Sequence, residues 1–132
     1  MKRYKGVILF VNDDTDWIQY IKEELTKEFY ISFYTNGRSA IYAINNQGIN
    51  YDLAIVDLSL PDISGVEVAE YSKKVNPKIP VIAFTCYDEI FKHADDLIIT
   101  KGGCVTKKIK MMFKKYATKK SGGGKNENTF DG

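Results

Sequence analysis

The sequence predicts a doubly wound α/β fold, five parallel strands with helices packed on both faces. Short apolar runs alternate with stretches whose apolar residues recur every three or four positions, and this alternation repeats five times along the chain. The runs are continuous rather than alternating, as expected of strands covered on both faces. The joins between them are short, which favours right-handed crossovers in a single sheet.

Each element follows from local chemistry. Val7-Ile8-Leu9-Phe10-Val11 is the first strand. Trp17, Ile18, Ile21 and Leu25 then recur at helical spacing, with Asp14 or Thr15 available as N-cap. Tyr30 to Tyr34 is rich in aromatic and β-branched residues and forms the second strand. Ala40, Ile41 and Ile44 make the stripe of the second helix, closed by Gly48. Leu53–Val56 is the third strand, and Val66, Ala69 and Tyr71 belong to the third helix. Pro80 opens the fourth strand, Val81-Ile82-Ala83-Phe84, and a short helix around Tyr87–His93 follows. Leu97-Ile98-Ile99 is the fifth strand, and the last helix runs from about Cys104 to Tyr116. Residues 1–120 thus form the domain, while the Gly- and Asn-rich segment 121–132 is a flexible tail with too few apolar residues to order itself.

Composition narrows the function classes. A chain of 132 residues is one ordinary domain, 44% apolar and 27% charged. No apolar stretch approaches bilayer length, and the N-terminus lacks a signal-peptide core, so no membrane association is expected. Cys86 and Cys104 lack disulfide or metal spacing, are expected as small packing residues, and suit a reducing cytoplasm. The net charge of +2 hides a basic end, with 9 lysines in residues 101–132 against Glu127 and Asp131. Those lysines surround a helix that also carries Val105, Ile109, Met112 and Phe113, so a solvated helical face is expected rather than direct nucleic-acid binding.

Polar residues collect where the strands end. Asn12-Asp13-Asp14 follow the first strand, Asp57 the third, Thr85 the fourth and Lys101 the fifth. In a parallel sheet these ends share one edge, where such folds bind ligands. Carboxylates, a hydroxyl and an ammonium in one crevice suit a phosphoryl group held with Mg²⁺. His93 is expected as a surface residue, and Trp17 and the tyrosines as packing groups.

With Asp57-x-x-x-Pro61-x-x-x-Gly65, an acidic pair beginning 44 residues earlier, the strand ending in Thr85 and the Ile99-Thr100-Lys101 ending, the chain resembles the receiver domain of two-component response regulators over roughly residues 5–118. The resemblance implies a flavodoxin-like strand order 2-1-3-4-5. It implies that Asp57 accepts a phosphoryl group from a sensor histidine kinase or phosphotransfer protein. Mg²⁺ would be held by Asp13, Asp57 and the backbone carbonyl of Ser59, with Asn12 acting through a water. Thr85 and Lys101 would bind the phosphoryl oxygens and pass the change to a downstream protein. The chain would catalyse only its own phosphorylation and dephosphorylation, as a stand-alone cytoplasmic receiver, with homodimerisation left open.

The departures from that pattern are specific. Asn12 stands where the first acid of the pair is usual, Ile98 where an aromatic switch residue is usual, and Gly102 where a proline is usual. Only 15 residues separate Thr85 from Lys101, so the fourth helix of the family is expected to be shortened. They raise a second reading, a receiver-like interaction module that works without phosphorylation. A third class, an enzyme or cofactor binder of similar topology, fits less well. A flavodoxin needs a phosphate loop where Asp13-Asp14 would repel phosphate, and an aspartate-nucleophile phosphatase built on Asp14-Thr15-Asp16 leaves the Asp57 motif unexplained.

Overall fold

In the computed structural model, which describes residues 3–87 and 90–118, the apolar runs become five strands. They are β1 (Gly6–Val11), β2 (Phe29–Tyr34), β3 (Leu53–Asp57), β4 (Val81–Thr85) and β5 (Asp96–Ile99). All pair in parallel in the order β2-β1-β3-β4-β5, as the resemblance implied. β3 is central, with Ala54 to Asp57 in register with Val81 to Phe84 of β4 and Leu53 to Val56 with Ile8 to Val11 of β1.

Alternation of side chains across the sheet divides one apolar run between two cores. Ile8, Phe10, Leu53, Ile55, Ile82 and Phe84 face one way and pack with α1 (Thr15–Leu25) and α4 (Val105–Phe113). Leu9, Val11, Ala54, Val56, Val81 and Ala83 face the other way, toward α2 (Gly37–Asn46) and α3 (Gly65–Val75). Both sets are 2% exposed or less, which is why the strands contain no polar alternation. Removing one such side chain to alanine would cost about 2–5 kcal/mol.

The helices start on short polar side chains. Asp14 accepts from Asp16 N (2.9 Å), and Asn36 from Ser39 N (2.9 Å). Ser64 and Glu67 form a reciprocal capping box on α3. α2 has a second brace, since Asp62 of the β3–α3 loop accepts from Gly37 N (2.9 Å) and Arg38 N (2.8 Å). Gly48, at φ 62°, ends α2 as expected. α4 runs into a π-helical turn, Lys114–Thr118, close to the end expected for the last helix.

Two expectations are corrected. Both cysteines are exposed rather than packed. Between β4 and β5 the described residues form turns, with Ala94 N donating to Phe91 O (3.1 Å) and His93 at φ 73°. The short helix expected around Tyr87–His93 is therefore not present among the described residues, although Asp88 and Glu89 lie outside them. With β5 beginning at Asp96, the segment is too short to cross back over the sheet as a helix. The tail at 121–132 also lies outside the described residues. No described helix is long and apolar enough to cross a membrane.

Gly65 has a tighter role than a turn. Its φ is not positive, so conformational freedom does not explain it. Its N–H bonds to Leu58 O (2.9 Å), and a Cβ there would overlap the carbonyl of Asp57 and come within 2.9 Å of Leu58 Cα. The start of α3 is thus laid directly against the backbone that carries Asp57. We expect Gly65→Ala to lower stability by about 1–3 kcal/mol through overpacking against backbone that cannot yield. Chemical denaturation of the two proteins checks this, and an unchanged midpoint would show that the contact is slack.

Candidate functional site

The C-terminal ends of β1, β3 and β4 and the residue after β5 surround a crevice of about 330 Å³. Asn12, Asp13, Asp14, Asp57, Ser59 and Thr85 line it, as the strand-end argument required. Trp17, Phe84, Cys86 and Thr100 complete the lining. Lys101 does not line it; the residue is exposed, in the bend after β5.

Asp57 is half-buried at the end of a buried strand. Burial, together with the negative charges of Asp13 and Asp14, pushes its carboxyl up to about 6. Backbone hydrogen bonds from Ser59 and Leu58 oppose this shift, and the one from Ser59 N is long at 3.4 Å. The carboxylate therefore carries charge that its surroundings only partly satisfy.

The acidic loop after β1 divides its work. Asn12 is 2% exposed, its N–H reaches Tyr34 O (3.0 Å) and its side-chain oxygen accepts from Asp14 N (2.8 Å). It shapes the loop from beneath. Asp14 is engaged as the cap of α1. Asp13 is exposed at the crevice. Among the described residues no three His, Cys, Asp or Glu side chains converge as a ready ligand cluster. Asp13 and Asp57 bring carboxylates to the crevice, and Ser59 also lines it. Such a sparse, hard oxygen set fits a cation that keeps several waters, as Mg²⁺ does, and the unsatisfied charge on Asp57 is what a cation would relieve.

Thr85 is 8% exposed, and its hydroxyl oxygen accepts from Tyr87 N (3.1 Å). Its hydroxyl proton is then available as a donor, because the oxygen serves as acceptor in that contact. Its carbonyl takes Thr100 N (2.9 Å), which ties the end of β4 to the residue before Lys101.

Trp17 and Cys86 were not identified from sequence as site residues. Cys86 directly follows Thr85, so strand direction alone could have placed it at the rim. Trp17 lies one helical turn beyond Asp13–Asp14, and its ring stands at 90° to Phe84 with centroids 5.3 Å apart. Ile98, at the position where the aromatic switch was missed, is 1% exposed and belongs to the core with Phe84 and Ile109.

The response regulator receiver domain profile matches residues 8–113 of this chain. The response regulator RppA of Synechocystis sp. is 37% identical over 83 residues, covering 62% of this chain and 36% of that protein. The uncharacterized transcriptional regulatory protein YkoG of Bacillus subtilis is 34% identical over 104 residues, covering 78% of this chain and 45% of that protein. The chain thus spans less than half the length of these two relatives. Among solved structures, the response regulator TrrA of Thermotoga maritima in complex with Mg²⁺-BeF superimposes with a TM-score of 0.72 at 29% identity, covering 84% of this chain and 98% of that one. A CheY-like receiver domain protein from Methanospirillum hungatei gives a TM-score of 0.74 at 23% identity, covering 87% and 96%, and shares the fold.

The raised proton affinity of Asp57 has a stability signature. In the folded chain its carboxyl titrates near 6, against a model-compound value of 3.8. The folded state therefore holds this proton more tightly than the unfolded state. Below about pH 4 the group costs no stability, and the cost grows to at most about 3 kcal/mol as pH rises through 6. We expect Asp57→Asn, in the absence of divalent cations, to stabilise the protein at pH 8 and not at pH 4. Thermal unfolding at the two values checks it, and an equal shift at both would show that Asp57 is not strained by its charge.

Proposed function

The chain belongs to the response regulator receiver domain family, and on that footing we propose that it is a phosphoacceptor whose Asp57 takes a phosphoryl group and signals by protein contact. Receiver domains work with histidine kinases and downstream effectors, so the donor is a kinase or phosphotransfer histidine and the output is a second protein. The single observation that carries this reading is the Asp57 carboxylate. It ends a buried strand, opens onto the crevice, and has Asp13 and Thr85 on either side.

The chemistry is transfer between two nucleophiles. An Asp57 oxygen forms the new bond to phosphorus while the bond from phosphorus to the donor nitrogen breaks, and the imidazole leaves with the electron pair. Asp13, Asp57 and the Ser59 carbonyl would hold Mg²⁺, which would supply positive charge to offset repulsion between carboxylate and phosphoryl oxygens. Thr85 donates its hydroxyl proton to one phosphoryl oxygen. Lys101 neutralises another once its side chain turns inward from the bend. The chain promotes only the gain and loss of its own phosphoryl group, and the cytoplasm is the compartment in which such a donor would be met.

One observation favours the alternative, an interaction module independent of phosphorylation. The side-chain oxygen of Asn12 is committed to Asp14 N–H and brings no charge, which weakens the attraction for a cation. Incubation with acetyl phosphate and Mg²⁺ separates the two. We expect one phosphoryl group per chain by intact mass, lost in Asp57→Asn and in EDTA. Full labelling of Asp57→Asn would sink the site assignment, and an unlabelled wild type would favour the interaction module.

Asn12 also sets an expectation for metal affinity. A carboxylate at this position, about 6 Å from the cation at an effective dielectric of about 20–40, adds roughly 1–3 kcal/mol of attraction. Asn12→Asp should therefore tighten Mg²⁺ about tenfold, read by titrating Trp17 fluorescence. Equal affinities would mean that position 12 acts only through the loop it supports.

A further inference from the structure

Lys108 occupies a place that is poor for a cation. It lies in the first turn of α4, where the helix dipole is positive and an ammonium is disfavoured. Its contacts explain the placement. The Lys108 ammonium donates to Ile99 O (2.7 Å) and to Gly102 O (3.2 Å). Those two carbonyls bracket Thr100 and Lys101.

The segment they bracket has little stiffness of its own. Gly102 and Gly103 both have positive φ, 61° and 117°, conformations that leave the backbone without the restraint a side chain or proline ring supplies. A Cβ on Gly103 would come within 3.2 Å of Lys108 Cε and 3.4 Å of its Nζ, so the bare backbone there is what lets the ammonium approach. On the other side, Thr100 N is tied to Thr85 O (2.9 Å). Lys101 is thus a freely exposed side chain on a backbone pinned on both sides.

We propose that Lys108 is a positioning residue, an ammonium clamp across the β5–α4 bend that fixes the backbone of Lys101 so that its side chain can reach a phosphoryl group on Asp57. This rests on the phosphoacceptor reading above. Two charge-assisted hydrogen bonds from one side chain do here what a rigid residue after Lys101 would otherwise do. Fixing the backbone matters because reaching groups lose rate steeply when their origin wanders by an ångström.

The clamp and the reading it rests on fail in different ways. In Lys108→Met, amide hydrogen exchange at residues 100–103 should accelerate about tenfold or more, whether or not any phosphoryl group is transferred. Phosphorylation by acetyl phosphate should slow about tenfold, while Mg²⁺ affinity by Trp17 fluorescence stays within about twofold of wild type. In a Lys101→Ala background the same substitution should add no further loss of rate. Unchanged exchange, an unchanged rate, a rate loss additive with Lys101→Ala, or Mg²⁺ affinity falling in step with the rate would each overturn the proposal. Should Lys108→Met not fold, Lys108→Leu, which likewise removes every donor, gives the same comparison. Failure of both to fold would make Lys108 a folding residue and overturn the clamp. A wild type that takes no phosphoryl group, with exchange accelerated in the variant, would remove the phosphoacceptor reading and leave the clamp a structural fact.

Discussion

β3 runs between β1 and β4 with Leu53 to Val56 at 1% exposure or less, and its next residue is a carboxylate. A strand so enclosed cannot shift along its axis without dragging apolar side chains of both cores out of place, so Asp57 is held at one height above the sheet. The start of α3 closes against the same backbone at Gly65. The charge is consequently fixed in a half-dry position beside two further acids, and the backbone hydrogen bonds from Ser59 and Leu58 only partly offset its burial. Rigid placement and incomplete satisfaction are the same fact seen from mechanics and from electrostatics. Both favour a site whose resting state is under tension that a ligand relieves.

The other half of the crevice is built differently. Ile98 is sealed in the core, so it cannot swing as an aromatic at that position would. The described residues between β4 and β5 form turns rather than a helix, and Lys101 sits on a bend with two glycines. Trp17 lines the crevice with Phe84 and packs edge-on against Phe84 and Tyr20. The site therefore joins a wall of buried strand ends to a bend held by the Thr100 and Lys108 hydrogen bonds.

Much of this was legible in the residues. Continuous apolar runs fixed the parallel sheet because no other arrangement hides both sides of Val81–Phe84. The strand-end rule assembled Asp13, Asp57 and Thr85 because parallel strands have a common direction. What was not legible depended on contacts distant in sequence. Gly65 stood in the sequence only as the end of the Asp57-x-x-x-Pro61-x-x-x-Gly65 spacing, and its real constraint is the Asp57 carbonyl that only tertiary structure brings near. Asn12 looked like a defective ligand, yet its oxygen supports the loop from inside. Lys101 was placed at the right edge by strand direction, but nothing in the sequence told which way a long side chain on a glycine-flanked bend would lie. Cys86 and Cys104 were misjudged because small apolar character is a weak guide to burial at the ends of elements.

The Asp62 brace on α2 also has a meaning in time. Gly37 and Arg38 receive their acceptor from a residue about 25 positions later in the chain. Asn36 is local to α2, whereas its second anchor, Asp62, lies beyond β3 in the chain. Long-range contacts of this kind are slow to form and reward only a nearly complete structure. The loop that follows Asp57 is thus also the latch of α2, so a chain interrupted before Asp62 would carry an α2 lacking that second anchor.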